Sequence, residues 1–156
     1  MILYVFTSKN ITNIWAGIGA RLWAVSDADP NVMAGRRTRA TNVLVGQAGL
    51  IYCSHPDYKS LTTPFIVTSQ PNPKKDEEMV WGEAWKMPFS IHPLGTPRKH
   101  WNAHQAAREL PFNRDTGKTN VTSVFKAVGT AVFSPIEIGD KDWAMILSRL
   151  SDISMV

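Results

Sequence analysis

The sequence predicts an α+β domain around a curled mixed sheet or small open barrel flanked by short helices. Short β-type runs outnumber helical stretches, and the turn signals between them come at irregular spacing. The glycine patterns of dinucleotide-binding and phosphate-loop folds are absent. At 156 residues the chain has the length of one domain, 1–156, large enough to bury a core without staples.

Residues 2–6 are a run of β-formers starting almost at the N-terminus, and they read as a buried central strand. Thr7-Ser8-Lys9-Asn10 ends the strand with turn chemistry. Thr12 or Asn13 is placed to cap a short helix that Gly17 and Gly19 are expected to break. Residues 22–25 form a brief strand, closed by a loop at 26–31 rich in hydrogen-bond acceptors. A basic run, Gly35-Arg36-Arg37-Thr38-Arg39, follows. Residues 43–49 read as strand then turn, leading into a second core strand at 50–53. A loop at 55–60 and a third strand at 64–69 come next. Residues 70–73 are irregular, because their prolines lack a donor and fix φ.

Between Pro88 and Pro93 lies another apolar strand, Phe89-Ser90-Ile91. Ala103, Ala106, Ala107 and Leu110 recur at helical spacing, so 100–110 is the best helix candidate, stopped by Pro111. Residues 113–120 are polar loop, 121–128 fit strand or helix, and 129–133 turn into a strand. Trp143, Ile146, Leu147 and Leu150 mark an amphipathic helix over 138–150 with Asp140 as its cap.

Composition narrows the function classes. Hydrophobic residues at 44% and charged residues at 19% are ordinary for a soluble globular protein. A single cysteine, Cys53, sits in an apolar run, which argues against a disulfide framework or a Cys-based zinc site and for a reducing, cytoplasmic setting. No stretch has the length of a membrane span, no membrane partner is expected, and the N-terminus lacks the layout of a signal peptide. The net charge of +4 favours an anionic partner. Lys9, the 36–39 arginines (Arg36, Arg37, Arg39), Arg98 and Lys99 are the candidate phosphate contacts, while Lys74 and Lys75 are cancelled by Asp76, Glu77 and Glu78.

Catalytic patterns are scarce. His100 and His104 have metal-sharing spacing, but no acidic residue lies between them to complete a zincin-like set. No cofactor is expected. Glu83, between Trp81 and Trp85, is the one carboxylate among aromatics and so a candidate acid or base. The positive signal is for binding. Residues 79–94, MVWGEAWKMPFSIHPL, set two of the chain's six tryptophans at the lip of a strand. With Trp23 from the N-terminal half, Trp81 and Trp85 suggest an aromatic pocket for a nucleic-acid base. Base–aromatic stacking contributes about 1–3 kcal/mol per base, with phosphate contacts adding most of the rest.

In order and spacing, residues 2 to about 115 resemble the YTH and EVE domains of the PUA-like superfamily, which read modified bases in RNA or DNA. The pieces that carry the resemblance are residues 2–10 with their Thr7-Ser8-Lys9-Asn10 ending, Gly19-Ala20-Arg21-Leu22-Trp23-Ala24, and the strand pair at 50–53 and 65–69. Residues 79–93 and Arg108-Glu109-Leu110-Pro111-Phe112 complete the set. The resemblance implies a cage for a modified base of the methylated kind, with Trp23 as first wall and Trp81, or alternatively Trp85, as second. Asn10 or Asn13 would lie near the base edge, and Ser8 and Ala24 would contribute backbone groups. The serine that follows the first wall in YTH domains is Ala24 here. A target in duplex would have to be flipped out. EVE-like members front modification-dependent restriction proteins, which implies a nuclease or NTPase partner subunit. The expected function is therefore a non-enzymatic reader of a modified base in DNA or RNA. The rivals are an ASCH-like hydrolase of a modified nucleoside using Glu83 or Lys86, and a protein-interaction domain whose tryptophans mark a partner surface.

Overall fold

Alternation along β1 (Ile2–Ser8) divides the hydrophobic interior in two. Leu3 and Val5 point into one core, Tyr4 and Phe6 into the other, as the two-residue period of a strand requires. The computed structural model describes residues 1–153. Its sheet runs β2 (Leu22–Val25), β6 (Trp85–Pro93), β4 (Ser60–Val67), β3 (Ala48–Cys53), β1 and β8 (Ile136–Glu137), and it does not close. Short strands β5 (Asp76–Glu77) and β7 (His100–Asn102) branch onto β6 and β4. Among the described residues only β1 and β3 pair in parallel, and every other pairing is antiparallel.

A parallel pair needs a crossover. Here it carries α1 (Ile11–Ala20), β2 and α2 (Pro30–Ala40), which cover the Tyr4–Phe6 side with Ile14, Ile18, Trp23 and Met33. The Leu3–Val5 side is covered by α3 (Ala103–Glu109), α5 (Val121–Val124) and α6 (Asp140–Leu150). A one-turn helix, α4 (Pro111–Arg114), links α3 to the following loop.

Several local expectations are corrected. Asn10, not Thr12 or Asn13, caps α1: its Oδ1 accepts from the Thr12 and Asn13 amides at 2.9 and 3.4 Å. The helix runs through Gly17 and Gly19 and ends at Arg21 in the left-handed region. Gly17 is required for a different reason. A Cβ there would lie 2.9 Å from both the Trp23 ring and the Leu22 carbonyl, whereas at Gly19 it would meet nothing within 4 Å. Residues 30–40, read as loop and basic run, form a helix. Asp29 accepts from the Asn31 and Val32 amides at 3.0 and 3.1 Å, with Pro30 in the first turn.

The C-terminal half shifts by a few residues at each boundary. Strand β4 begins at Ser60 rather than residue 64, and 100–102 is strand, with Asn102 capping α3 through the Gln105 amide at 3.1 Å. Residues 129–131 make a 3-10 turn instead of a strand. Gly139, not Asp140, is the N-cap of α6. The buried Asp142 carboxylate reaches back to the Gly139 amide at 2.8 Å and accepts from the Phe112 amide at 2.9 Å, joining α6 to α4.

Candidate nucleic-acid interface

Because β2 leaves the crossover to pair with β6 at the far edge of the sheet, the end of β1 and the end of β2 face one cavity. Its volume is about 310 Å³, and its walls come from β1 and its turn, β2, α2 and the start of β6. Ser8, Lys9, Asn10, Asn13, Trp23, Ala24, Arg36 and Trp85 all line it. Thus residues distant in the chain meet at one place, some expected from sequence to hold the base (Ser8, Asn10, Asn13, Trp23, Ala24, Trp85) and two expected to contact phosphate (Lys9, Arg36). Trp81, Arg37, Arg39, Arg98 and Lys99 are not among the lining residues.

The tryptophans form a corner, not two parallel plates. Trp81 stacks on Trp85 (centroids 5.1 Å apart, planes 28° apart) and stands edge-on to Trp23 (6.1 Å, 83°). Trp23 and Trp85 are therefore steeply inclined to one another. Trp23 is only 1% exposed and serves as floor, while half-buried Trp85 offers a wall. Trp81 braces Trp85 from behind, and its indole N–H donates to the Asn13 carbonyl at 3.0 Å, fixing it on α1. Of the two alternatives for the second wall, the geometry favours Trp85. The Trp85 indole N–H donates to Glu83 Oε1 at 3.2 Å. The remaining tryptophans are elsewhere: Trp15 is exposed on α1, Trp101 is buried under the Arg149 guanidinium at 4.6 Å, and Trp143, on α6, packs half-buried against the Leu3–Val5 core.

Strand β6 reaches this corner through a bulge. Trp23 pairs with Phe89 and Val25 with Lys86, so β6 carries one residue more than β2 between those pairs. Met87 adopts φ +54° there, and Pro88, which has no N–H to offer a ladder, is accommodated at the irregularity.

The polar groups are tied locally. Ser8 Oγ, at the buried end of β1, accepts from the Asn10 amide at 3.2 Å and donates to its carbonyl at 3.1 Å, closing the turn that presents Lys9. The Asn10 side chain is engaged as the α1 cap, and Ala24 is fully buried.

The basic run separates by burial. Arg36 is 5% exposed, donating from Nη1 to the Ser26 carbonyl at 2.7 Å and from Nη2 to the Gly129 carbonyl at 3.1 Å. Arg39 donates from Nε to the Val132 carbonyl at 2.8 Å and from Nη2 to the Thr130 carbonyl at 3.2 Å. The expectation of surface phosphate contacts is corrected for both: they tie α2 to the 129–132 segment, each spending two donors on backbone oxygens. Burial pulls the Arg36 pKa down, and the Arg39 charge adds to this, while Asp27 and Asp29 oppose it. Arg37 alone of the three is exposed to solvent. Lys99 binds the Ser151 carbonyl at 2.9 Å and Asp152 at 3.4 Å, so it anchors the end of α6; Arg98 beside it is exposed.

Of the hydrolase candidates, Lys86 pairs with Asp76 at 2.9 Å, a bond that raises its pKa, and Glu83 does not line the cavity. No group of three metal-ligating side chains occurs among the described residues. One feature escaped sequence reading. A concavity of about 410 Å³ beside α3 and α4 gathers His104, Arg108, Arg114 and Lys118 from separate turns. Only the fold brings these residues together, and their scattered positions gave no cluster in the chain.

No protein-family model matches the chain, and no curated protein matches it. Solved structures do. The YTH domain of MRB1 from Zygosaccharomyces rouxii, in complex with N6-methyladenosine RNA, aligns over 98% of this chain and 88% of its own, with a TM-score of 0.56 and 11% identity. The chain has the YTH fold. The apo YTH domain of Toxoplasma CPSF4 aligns over 97% of this chain and 88% of its own, with a TM-score of 0.57 and 14% identity. A hypothetical protein from Leishmania major covers 95% of this chain and 93% of its own, with a TM-score of 0.56 and 12% identity. The α+β architecture expected from sequence, an open mixed sheet flanked by short helices, is the observed one, and the similarity to YTH domains extends past residue 115 to nearly the whole chain.

Proposed function

We propose that this chain is a nucleic-acid-binding module that holds one modified base against Trp85. The carrying observation is a cavity of about 310 Å³ with Trp85 as wall and Trp23 as floor, a size at the lower end of small-ligand pockets. One face of Trp85 is covered by Trp81, so an incoming base extends an existing stack on the other. The YTH domain of MRB1, similar in fold, is bound to N6-methyladenosine RNA, which supports the same class of ligand here. Lys9 at the cavity and Arg37 on the exposed side of α2 are the phosphate contacts in this reading. The test is titration with matched oligonucleotides, methylated or plain, as single-stranded RNA and as duplex DNA. Tighter binding to a modified oligonucleotide, lost in Trp85→Ala, supports the reader; binding that ignores both modification and Trp85 refutes it.

One observation favours the hydrolase rival: Lys9 and Thr7 both line the cavity at the end of β1. No aspartate or glutamate is among its described lining residues, so the acid–base partner that such chemistry needs has no candidate there. Incubation with modified nucleosides and chromatography of the products separates the two readings, since turnover would establish the enzyme.

A further inference from the structure

The basic concavity beside α3 and α4 stands apart from the base cavity. Helix α3 buries Ala103, Ala106 and Ala107 in the Leu3–Val5 core, whereas Trp23 belongs to the Tyr4–Phe6 core, so the two hollows lie on opposite sides of the sheet. His104 and Arg108 are four residues apart on α3, which sets them on one helix face. Arg114 ends α4, Lys118 follows in the loop, and all four side chains are exposed. No ion pair to any of them occurs among the described residues. Glu109 is taken by Arg149 at 3.0 Å, and neither Glu109 nor Asp115 lines the hollow. Three permanent cations therefore converge on about 410 Å³ of open space with no carboxylate in its described lining. The hollow is also held in shape. Asn113, 4% exposed, donates from Nδ2 to the Ala107 carbonyl and to the Lys118 carbonyl, both at 3.0 Å. Its Oδ1 accepts from Thr116 Oγ1 at 2.6 Å, and that hydroxyl accepts from the Lys118 amide at 3.2 Å. Gly117, at φ +73°, supplies the left-handed residue that closes the turn. One buried amide thus fixes the helix that carries Arg108 against the loop that carries Lys118.

We propose that this hollow is a second nucleic-acid contact, which grips backbone phosphates of a strand whose base is held on the other side of the sheet. The nucleic-acid class of the ligand rests on the base-binding reading above. Two guanidinium forks, Arg108 and Arg114, match the paired oxygens of a phosphate, and Lys118 adds a point charge. No tryptophan, tyrosine or phenylalanine is among the described lining residues, so a base finds no ring to stack on there. The contact is therefore to the backbone and indifferent to sequence. Its role is to add affinity to a longer strand, while the base cavity supplies the choice of base.

The test compares the full chain with a triple variant, Arg108→Gln, Arg114→Gln and Lys118→Gln, whose folding is checked by circular dichroism. Fluorescently labelled single-stranded RNAs of four and twenty nucleotides, with a central N6-methyladenine or plain adenine, are titrated by anisotropy over a range of salt. For the long strand the slope of log affinity against log salt should fall by about 2, at about 0.7 for each charge removed, and equally on methylated and plain RNA. The four-nucleotide strand, too short to reach both sides of the sheet, should bind variant and wild type alike. Trp85→Ala should instead weaken both lengths and leave the slope unchanged. If the triple variant folds poorly, Arg114→Gln alone should lower the slope by about 0.7. An unchanged slope, or equal weakening of the short strand, overturns the second contact and leaves the base-binding reading standing. A lowered slope without any dependence on Trp85 overturns the base-binding reading and leaves the hollow as a phosphate contact. Polyglutamate that displaces the long strand from the wild type at matched charge, but not from the triple variant, overturns the nucleic-acid assignment in favour of an acidic protein partner.

Discussion

Gly17 and Gly19 lie two residues apart on α1, and the same substitution should act on them with different outcomes. Alanine at an exposed helical position is favoured over glycine by about 0.8–1.0 kcal/mol. At Gly19 an added Cβ meets nothing within 4 Å, so that full amount is expected as stabilisation. At Gly17 the Cβ would sit 2.9 Å from the Trp23 ring and 2.9 Å from the Leu22 carbonyl, neither of which is the loose end of a flexible chain. Overpacking of this kind costs about 1–3 kcal/mol. Gly17→Ala should therefore trail Gly19→Ala by about that amount. For a domain of this size each kcal/mol moves Tm by about 2–4 °C. Thermal melts followed by circular dichroism read the gap directly. Because the displaced group is the floor of the cavity, Gly17→Ala should also weaken oligonucleotide binding while Gly19→Ala leaves it unchanged. Two variants with the same Tm and the same affinity would refute the close packing of α1 on Trp23.

Three further outcomes are expected. Trp85→Ala should weaken binding by about 5- to 150-fold, the equivalent of about 1–3 kcal/mol of lost stacking, with Tm changing far less than in Trp23→Ala; calorimetric titration of both variants checks it. Tyr52→Phe should raise stability by about 1 kcal/mol, because the Tyr52 hydroxyl is enclosed with no hydrogen-bond partner among the described residues; a lowered Tm would contradict this. Arg37→Ala should reduce the slope of log affinity against log salt by about 0.7 on single strands, whereas Arg39→Ala, which loses its bonds to the Val132 and Thr130 carbonyls, should instead lower Tm.

The strands were legible because their signal is local: residues 2–6, 22–25, 50–53 and 89–91 lie within β1, β2, β3 and β6. Helix α2 was not, since its only buried residues are Met33, Arg36 and Ala40, and an arginine on the inner face inverts the usual apolar stripe. The Asp29-Pro30 start was a usable signal, overridden by the basic run. In the site, the aromatic candidates and the turn after β1 were readable from sequence, but the choice of Trp85 over Trp81 depends on which ring is braced by α1. The inward turn of Arg36 and Arg39 depends on the carbonyls of residues 26 and 129–132, whose nearness no spacing rule gives.

The crossover between β1 and β3 also bears on the order in which the chain folds. Strand β3 and strand β4 are neighbours in sequence and pair directly, so they can form from nearby residues. Strand β2 has no such neighbour: its hydrogen-bonded partner is β6, with all of β3 and β4 intervening. Closing so long a loop carries an entropic penalty before any contact repays it. The Trp23–Phe89 pairing therefore belongs to the late part of folding, with φ-values near zero expected at both positions. During synthesis, a nascent chain that has not yet emerged past residue 85 has β1 but neither the strand that holds Trp23 in place nor the indole that would wall it. The corner that the proposed base would occupy is complete only once β6 is in place.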